Sequence, residues 1–206
     1  MKKSLLTLAL VGALTCFSAN AAVEGTFSLG ASLGWGHAYN TSTSIDTQWH
    51  DSSPTESWRY LDFKANEKNS YGIKLSCEYN FTDWFGLGVG YNFLTGADIK
   101  YEDGSTQDYS NHMFDVYARL AYPLDKNGSD VFVKAGPSVN ILTTDNDGAD
   151  SNFGAVLGIG GQWAVNDKIS IRVGYDYYFK TADYDEDYVK YESDTGFLYV
   201  GVNYNL

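Results

Sequence analysis

Proline and cysteine are scarce in this 206-residue chain, and basic residues are outnumbered by acidic ones, 14 to 26. Beyond the first 21 residues there is also no apolar run long enough to cross a bilayer as a helix. Each shortage excludes something. With Cys16 inside a leader, Cys77 stands alone and no intrachain disulfide can form, whatever the redox compartment. Removing Lys2 and Lys3 from the 14 basic residues leaves 12 against 26 acidic ones, a net charge of −14, which rules against nucleic acid as a partner. Three prolines beside 17 tyrosines and 21 glycines describe a chain of many strands rather than helices.

The leader itself is legible. Lys2-Lys3 supplies a positive start, Leu5 to Phe17 an apolar core, and Ala19-Asn20-Ala21 an A-x-A cleavage site. Cys16 follows Ala13-Leu14-Thr15, without the small neighbour that lipidation requires. The expected organisation is a signal peptide over residues 1–21 and one domain over 22–206.

Within that domain apolar and polar residues alternate with a period of two. Phe27, Leu29, Ala31, Leu33 and Trp35 share one face, against Ser28, Gly30, Ser32 and Gly34. The same alternation returns at 71–80, 85–93, 114–122, 131–141, 153–163, 169–177 and 198–206. Eight such strands make the smallest transmembrane barrel of outer-membrane type, a closed antiparallel up-and-down meander. Which set faces out follows from volume. An eight-stranded interior is barely wide enough for side chains, so the bulky set with Trp35 and Trp163 faces lipid. The small and charged set then fills the lumen. Aromatic residues near strand ends, such as Phe27 with Trp35 and Phe153 with Trp163, suit two interfacial girdles.

Connections of alternating length orient the barrel. Phe81–Trp84, Pro123–Asp130 and Asn166–Lys168 are short and expected at the periplasmic end. Residues 39–69, 94–110, 142–152 and 179–195 are longer, polar and acidic, and are expected outside. Asp103-Gly104 offers a turn that would let the third and fourth strands continue past the bilayer as a hairpin. Ser57-Trp58-Arg59-Tyr60 reads as a further strand segment in the first loop, without a second segment to pair with it. The final residues Tyr199, Gly201, Tyr204 and Leu206 look like the C-terminal signal read by the barrel-assembly machinery, with leucine in place of the usual terminal aromatic.

Gly30-Ala-Ser-Leu-Gly-Trp35, Tyr79 through Phe93, Ala118-Arg-Leu-Ala-Tyr-Pro123 and Gly160 through Tyr175, in this order and spacing, resemble the transmembrane domain of the OmpA-type family. The resemblance spans residues 24–206. It implies an eight-stranded barrel that acts as a structural or adhesive protein, a phage or host-cell receptor, or in some members a narrow pore. Two departures limit it. The peptidoglycan-binding domain of the long members has no counterpart before Leu206, so cell-wall tethering is not carried over. The basic positions of a charged gate match as Arg119 and Arg172, but Gly88 and Gln162 stand where its acidic partners would be.

The expected lumen holds Lys74, Glu78, Asp115, Arg119, Lys134, Arg172 and Asp176. A self-satisfied plug is favoured over a gate that swaps partners, because unpaired buried charges are costly and small barrels are filled by their own side chains. Asp145, Asp147 and Asp150 have cation-like spacing but not the order of a calcium loop, and read as a solvated turn. Asp183, Asp185, Glu186 and Asp187 make an acidic fourth loop whose charges repel one another, with divalent cations at lipopolysaccharide phosphates as the other reading. No cofactor is called for. Of the three histidines, His112 is expected on the lipid face and His37 on the lumen face, neither beside a nucleophile, and no enzyme is expected.

The expected function is membrane integrity plus display of acidic, tyrosine-rich loops, with Trp49, Trp58, Tyr60, Tyr184 and Tyr188 as the interaction surface. The expected partners are outer-membrane lipid and lipopolysaccharide, the assembly machinery, and a host-cell or phage surface ligand, with the protein a monomer. A narrow nonspecific channel for small solutes is the alternative.

Overall fold

The computed structural model describes residues 25–45, 70–100, 106–125, 128–144, 148–186 and 189–206. Eight strands follow in order: β1 (Thr26–Ile45), β2 (Ser70–Asn80), β3 (Phe85–Lys100), β4 (Thr106–Pro123), β5 (Asp130–Thr144), β6 (Gly148–Ala164), β7 (Ile169–Glu186) and β8 (Val189–Asn205). Each pairs antiparallel with the next, and β8 returns to β1 to close the barrel. Closure matters physically, because an unpaired sheet edge has no hydrogen-bond partner in hydrocarbon. The final residues serve that closure: Tyr204 pairs with Leu29 on one side and Ile169 on the other, and the Leu206 amide donates to the Phe27 carbonyl at 2.8 Å.

The bulky set faces outward as expected. Phe153, Tyr122 and Leu33 are about 70 % exposed (74 %, 71 % and 68 %), and Val89, Val116, Leu157, Ile159 and Val200 continue the apolar belt. At the end bearing the short turns, Phe27, Tyr79, Phe81, Phe85 and Trp84 form a chain of ring contacts spaced 4.6 to 5.8 Å. At the other end Tyr91, Phe93, His112 and Phe114 form a second cluster. Tyr–His and Tyr–Phe clusters with one polar edge suit a water–lipid boundary.

Two expectations need correction. The lumen is not filled by small and charged residues alone, since Met113, Tyr117, Val156, Tyr178, Phe197 and Tyr199 are buried there with Leu94. Glycines on facing strands leave the room: Tyr199 packs against Gly174 and Phe132 against Gly160. The connections at the open end are also shorter than their polar sequence implies. β3 and β4 continue to Lys100 and Thr106, β5 and β6 to Thr144 and Gly148, and β7 and β8 to Glu186 and Val189. Backbone pairing does not require alternation, so the ladders continue where the period-two signal of the sequence has ended. The hairpin extension of β3 and β4 is as expected. Three register shifts, at Tyr39/Ser42, Leu94/Ala97 and Tyr178/Ala182, fall where the belt gives way to these extensions. At the last of them Lys180 adopts φ 53°, a left-handed conformation pinned by its amide donating to Asp194 at 2.9 Å.

Candidate functional site

Alternation sends Glu78, Arg119, Arg172 and Gln162 to the inside of β2, β4, β7 and β6, where they meet as one tier. Arg172 reaches Glu78 with both terminal nitrogens, at 3.1 Å each, a fork matched to a carboxylate. Its Nε and Nη2 also donate to Gln162 at 3.1 and 2.7 Å, and Asn203 donates to the same amide oxygen at 2.7 Å. Arg119 lies 3.4 Å from Glu78 and binds Asp130, at the start of β5. Tyr117 donates to Glu78 at 3.1 Å. Both guanidinium groups stand over the Phe132 ring, 4.7 and 5.1 Å from its centre.

A second tier lies closer to the extracellular end. Lys74 and Lys134 share one oxygen of Asp176, at 2.7 and 2.8 Å, and Lys134 also reaches Asp115 at 3.3 Å. Asn92 accepts from Lys74 at 3.3 Å and donates to the Tyr178 hydroxyl at 2.7 Å. Tyr117 couples the tiers, since Lys134 sits 4.4 Å above its ring. Two residues along their strands from Tyr199 and Asn92, Phe197 and Leu94 are also buried in the lumen.

All seven lumen residues expected from the sequence converge here. The structure adds Asp130, Gln162, Asn92 and four tyrosine or phenylalanine rings. Asp130 was hidden because it sits at the strand's first residue, where alternation gives no parity signal. Tyr178 follows Asp176 by two positions and therefore shares its face, a signal that was available. The missing acidic partners of Arg119 and Arg172 are also found: Glu78 and Asp130 supply the carboxylates from other strands. Among the described buried residues four cations (Lys74, Arg119, Lys134, Arg172) meet four carboxylates (Glu78, Asp115, Asp130, Asp176). The formal charges of these eight residues balance. That balance is what allows so many charges to sit away from water.

Other sequence candidates are placed differently. Tyr199 is a lumen ring, while Gly201 faces Ser32 and Arg172 across its two ladders. His112 lies on the outer face, 2.9 Å from the Tyr91 hydroxyl. His37 does not face the lumen: it shares the outward side of Trp35, two residues away, with ring centres 6.0 Å apart. Tyr184 lies in β7 paired with Tyr191, and Asp150 in β6 paired with Leu142, so neither belongs to a loop. Trp49, Trp58, Tyr60, Tyr188, Asp145 and Asp147 lie outside the described residues, as does the strand-like Ser57–Tyr60. Among the described residues no group of three or more His, Cys, Asp or Glu side chains is disposed to hold a metal.

The profile of the outer membrane protein beta-barrel domain family matches residues 7–205. The chain belongs to that family. Solved structures of similar fold agree with this outer membrane barrel assignment. Neisserial surface protein A aligns at TM-score 0.59 and 14 % identity, covering 91 % of this chain and 99 % of that one. OprG from Pseudomonas aeruginosa gives 0.55 and 11 %, covering 90 % and 99 %, and the N-terminal barrel of OprF from the same organism 0.50 and 14 %, covering 89 % and 98 %. At these identities the likeness is one of fold. A search of curated protein sequences finds no match.

Proposed function

We propose that this outer membrane barrel is a structural, non-enzymatic protein whose lumen is plugged, and that its work is done on the outside. In this reading the signal peptide is removed after Ala21 and the mature chain resides in the outer membrane as a monomer. The observation that carries the plug is the neutral set of four cations and four carboxylates locked to one another, with rings packed above and between them. A pore needs charged groups that face water, whereas these face each other. The surface for a host-cell or phage ligand is assigned to the sequence around Trp49, Trp58, Tyr60, Tyr184 and Tyr188, rich in aromatic and acidic residues.

Single-channel recording in planar bilayers tests the plug. Near-zero conductance is expected for wild type, Arg119→Ala and Arg172→Ala alike. Defined opening steps in wild type that change in either variant would replace the plug with a gate. Replacing residues 46–69 with a short Gly-Ser linker and measuring adhesion of expressing cells tests the surface: loss of binding with the barrel intact is expected.

A further inference from the structure

Chain pairing around the barrel has one interruption within the apolar belt among the described residues. On β4–β5 the partners run to Asp115↔Ser138 and resume at Ala118↔Ala135, in the same register, with Val116–Tyr117 and Gly136–Pro137 unpaired between them. The cause is chemical. Position 137 is proline, which has no N–H to give the carbonyl of Val116 across the seam. Pro123 ends β4 beside a turn, where proline is tolerated, but Pro137 stands inside a central strand of a closed barrel. Gly136 completes the defect. A Cβ there would fall on the Val116 carbonyl oxygen and lie 2.7 Å from the Tyr117 Cα, so the strands touch through backbone where they should be bonded.

Two further observations fall on the same seam. On its lumen side, just toward the extracellular end, Ser138 Oγ, Asn140 Oδ1 and Asn111 Oδ1 are buried without a hydrogen-bond partner. Asp176 Oδ1 on β7 is a fourth such oxygen in the upper interior among the described residues, so three of the four belong to β4 and β5. Asn140 is held by its other end, Nδ2 donating to the Lys180 carbonyl at 3.1 Å. On the lipid side, Ala118, Ala135 and Ala155 surround Pro137, a patch of short side chains between Val116 and Leu157. Wall strength in a membrane barrel comes from its ladder hydrogen bonds and from packing on both faces. Here the ladder is interrupted and the lipid-side cover is thin at one place, while the Lys134–Asp115 and Arg119–Asp130 pairs bridge the two strands from the lumen side.

We propose that β4–β5 between Asp115 and Ala118 is a built-in lateral breathing seam, where the wall parts toward the acyl chains while the ion pairs of the lumen stay locked. The opening is sideways rather than along the barrel axis, so it is independent of the plug and does not require the barrel to conduct.

Hydrogen–deuterium exchange followed by NMR on the folded protein in lipid nanodiscs tests this. The amides that point across the seam, Val116 and Ala118 on β4 with Ala135 and Val139 on β5, are expected to exchange faster than Cys77 and Val89 in the unbroken β2–β3 ladder. Pro137→Val restores the missing N–H and is expected to slow the seam amides about tenfold, the size of one recovered hydrogen bond. Pro137→Ala restores the same donor with a smaller side chain and must act in the same direction. Gly136→Ala is expected to speed exchange. Equal exchange at the two seams in wild type, or unchanged rates in both proline variants that fold, would overturn the proposal.

Discussion

Gly88 and Tyr117 stand directly opposite each other on β3 and β4, and the tyrosine ring occupies the volume that a side chain on the glycine would need. A Cβ at position 88 would lie 2.6 Å from the tyrosine oxygen and 2.7 Å from a ring carbon. The same hydroxyl donates to Glu78, which pairs across the neighbouring ladder with Gly88. The absence of a side chain on β3 is therefore what lets a ring from β4 reach a carboxylate on β2.

Substituting that glycine tests the relationship. Gly88→Ala is expected to destabilise the barrel by about 1–3 kcal/mol through overpacking. The check is urea unfolding in lipid vesicles, read from the mobility of unheated protein in gels. Combining Gly88→Ala with Tyr117→Ala should cost less than the sum of the two single changes, because the collision is gone.

Glu78 serves both arginines, so its loss should be the most damaging single change in the lumen. Glu78→Gln removes the carboxylate that Arg172 and Arg119 share, leaving Arg119 its pair with Asp130. A destabilisation of about 3–5 kcal/mol is expected in the same urea assay, the cost of breaking a buried pair from one side. Asp130→Asn should cost less, since Arg119 keeps Glu78.

Asn92 and Tyr178 form a neutral link between β3 and β7 through the middle of the barrel. Tyr178→Phe removes the acceptor of the Asn92 amide while keeping the ring, and is expected to cost about 1–2 kcal/mol. An unfolding midpoint equal to wild type would mean that the amide finds Asp115, 3.5 Å away, as a substitute.

The outward belt makes the opposite demand on charge. Val89 lies mid-strand on β3, paired with Cys77 and Val116 and facing lipid. Val89→Arg is expected to cost about 2–4 kcal/mol for a cation near the bilayer centre. Val89→Leu, which keeps the position apolar, serves as the paired control and should keep the barrel folded.

Much of this architecture was legible because a half-buried strand writes its environment into every second residue. Leu33, Val89, Leu157 and Val200 on one parity, and Lys74, Glu78, Arg119 and Arg172 on the other, separate the two faces before any coordinates exist. The signal failed in two kinds of place. Beyond the belt, as from Asp183 to Glu186, the sequence is polar at every position and strand resembles loop. His37 is a different case, since its spacing from Trp35 already placed it outside and the parity was there to be read. Asp130 and Pro137 were missed for a further reason: each matters through a residue on another strand, Arg119 for the first and Val116 for the second.

By itself the sequence determined the number of strands, their antiparallel order and which face meets lipid, because these depend on local alternation and on the shortage of interior volume. Only the tertiary structure decided that Glu78 joins Arg119 to Arg172, that Lys74 and Lys134 share Asp176, and that Pro137 falls opposite a carbonyl it cannot satisfy. Those facts depend on register and on closure. Lys74 and Asp176 meet across 102 positions of sequence, and no local pattern records such a distance.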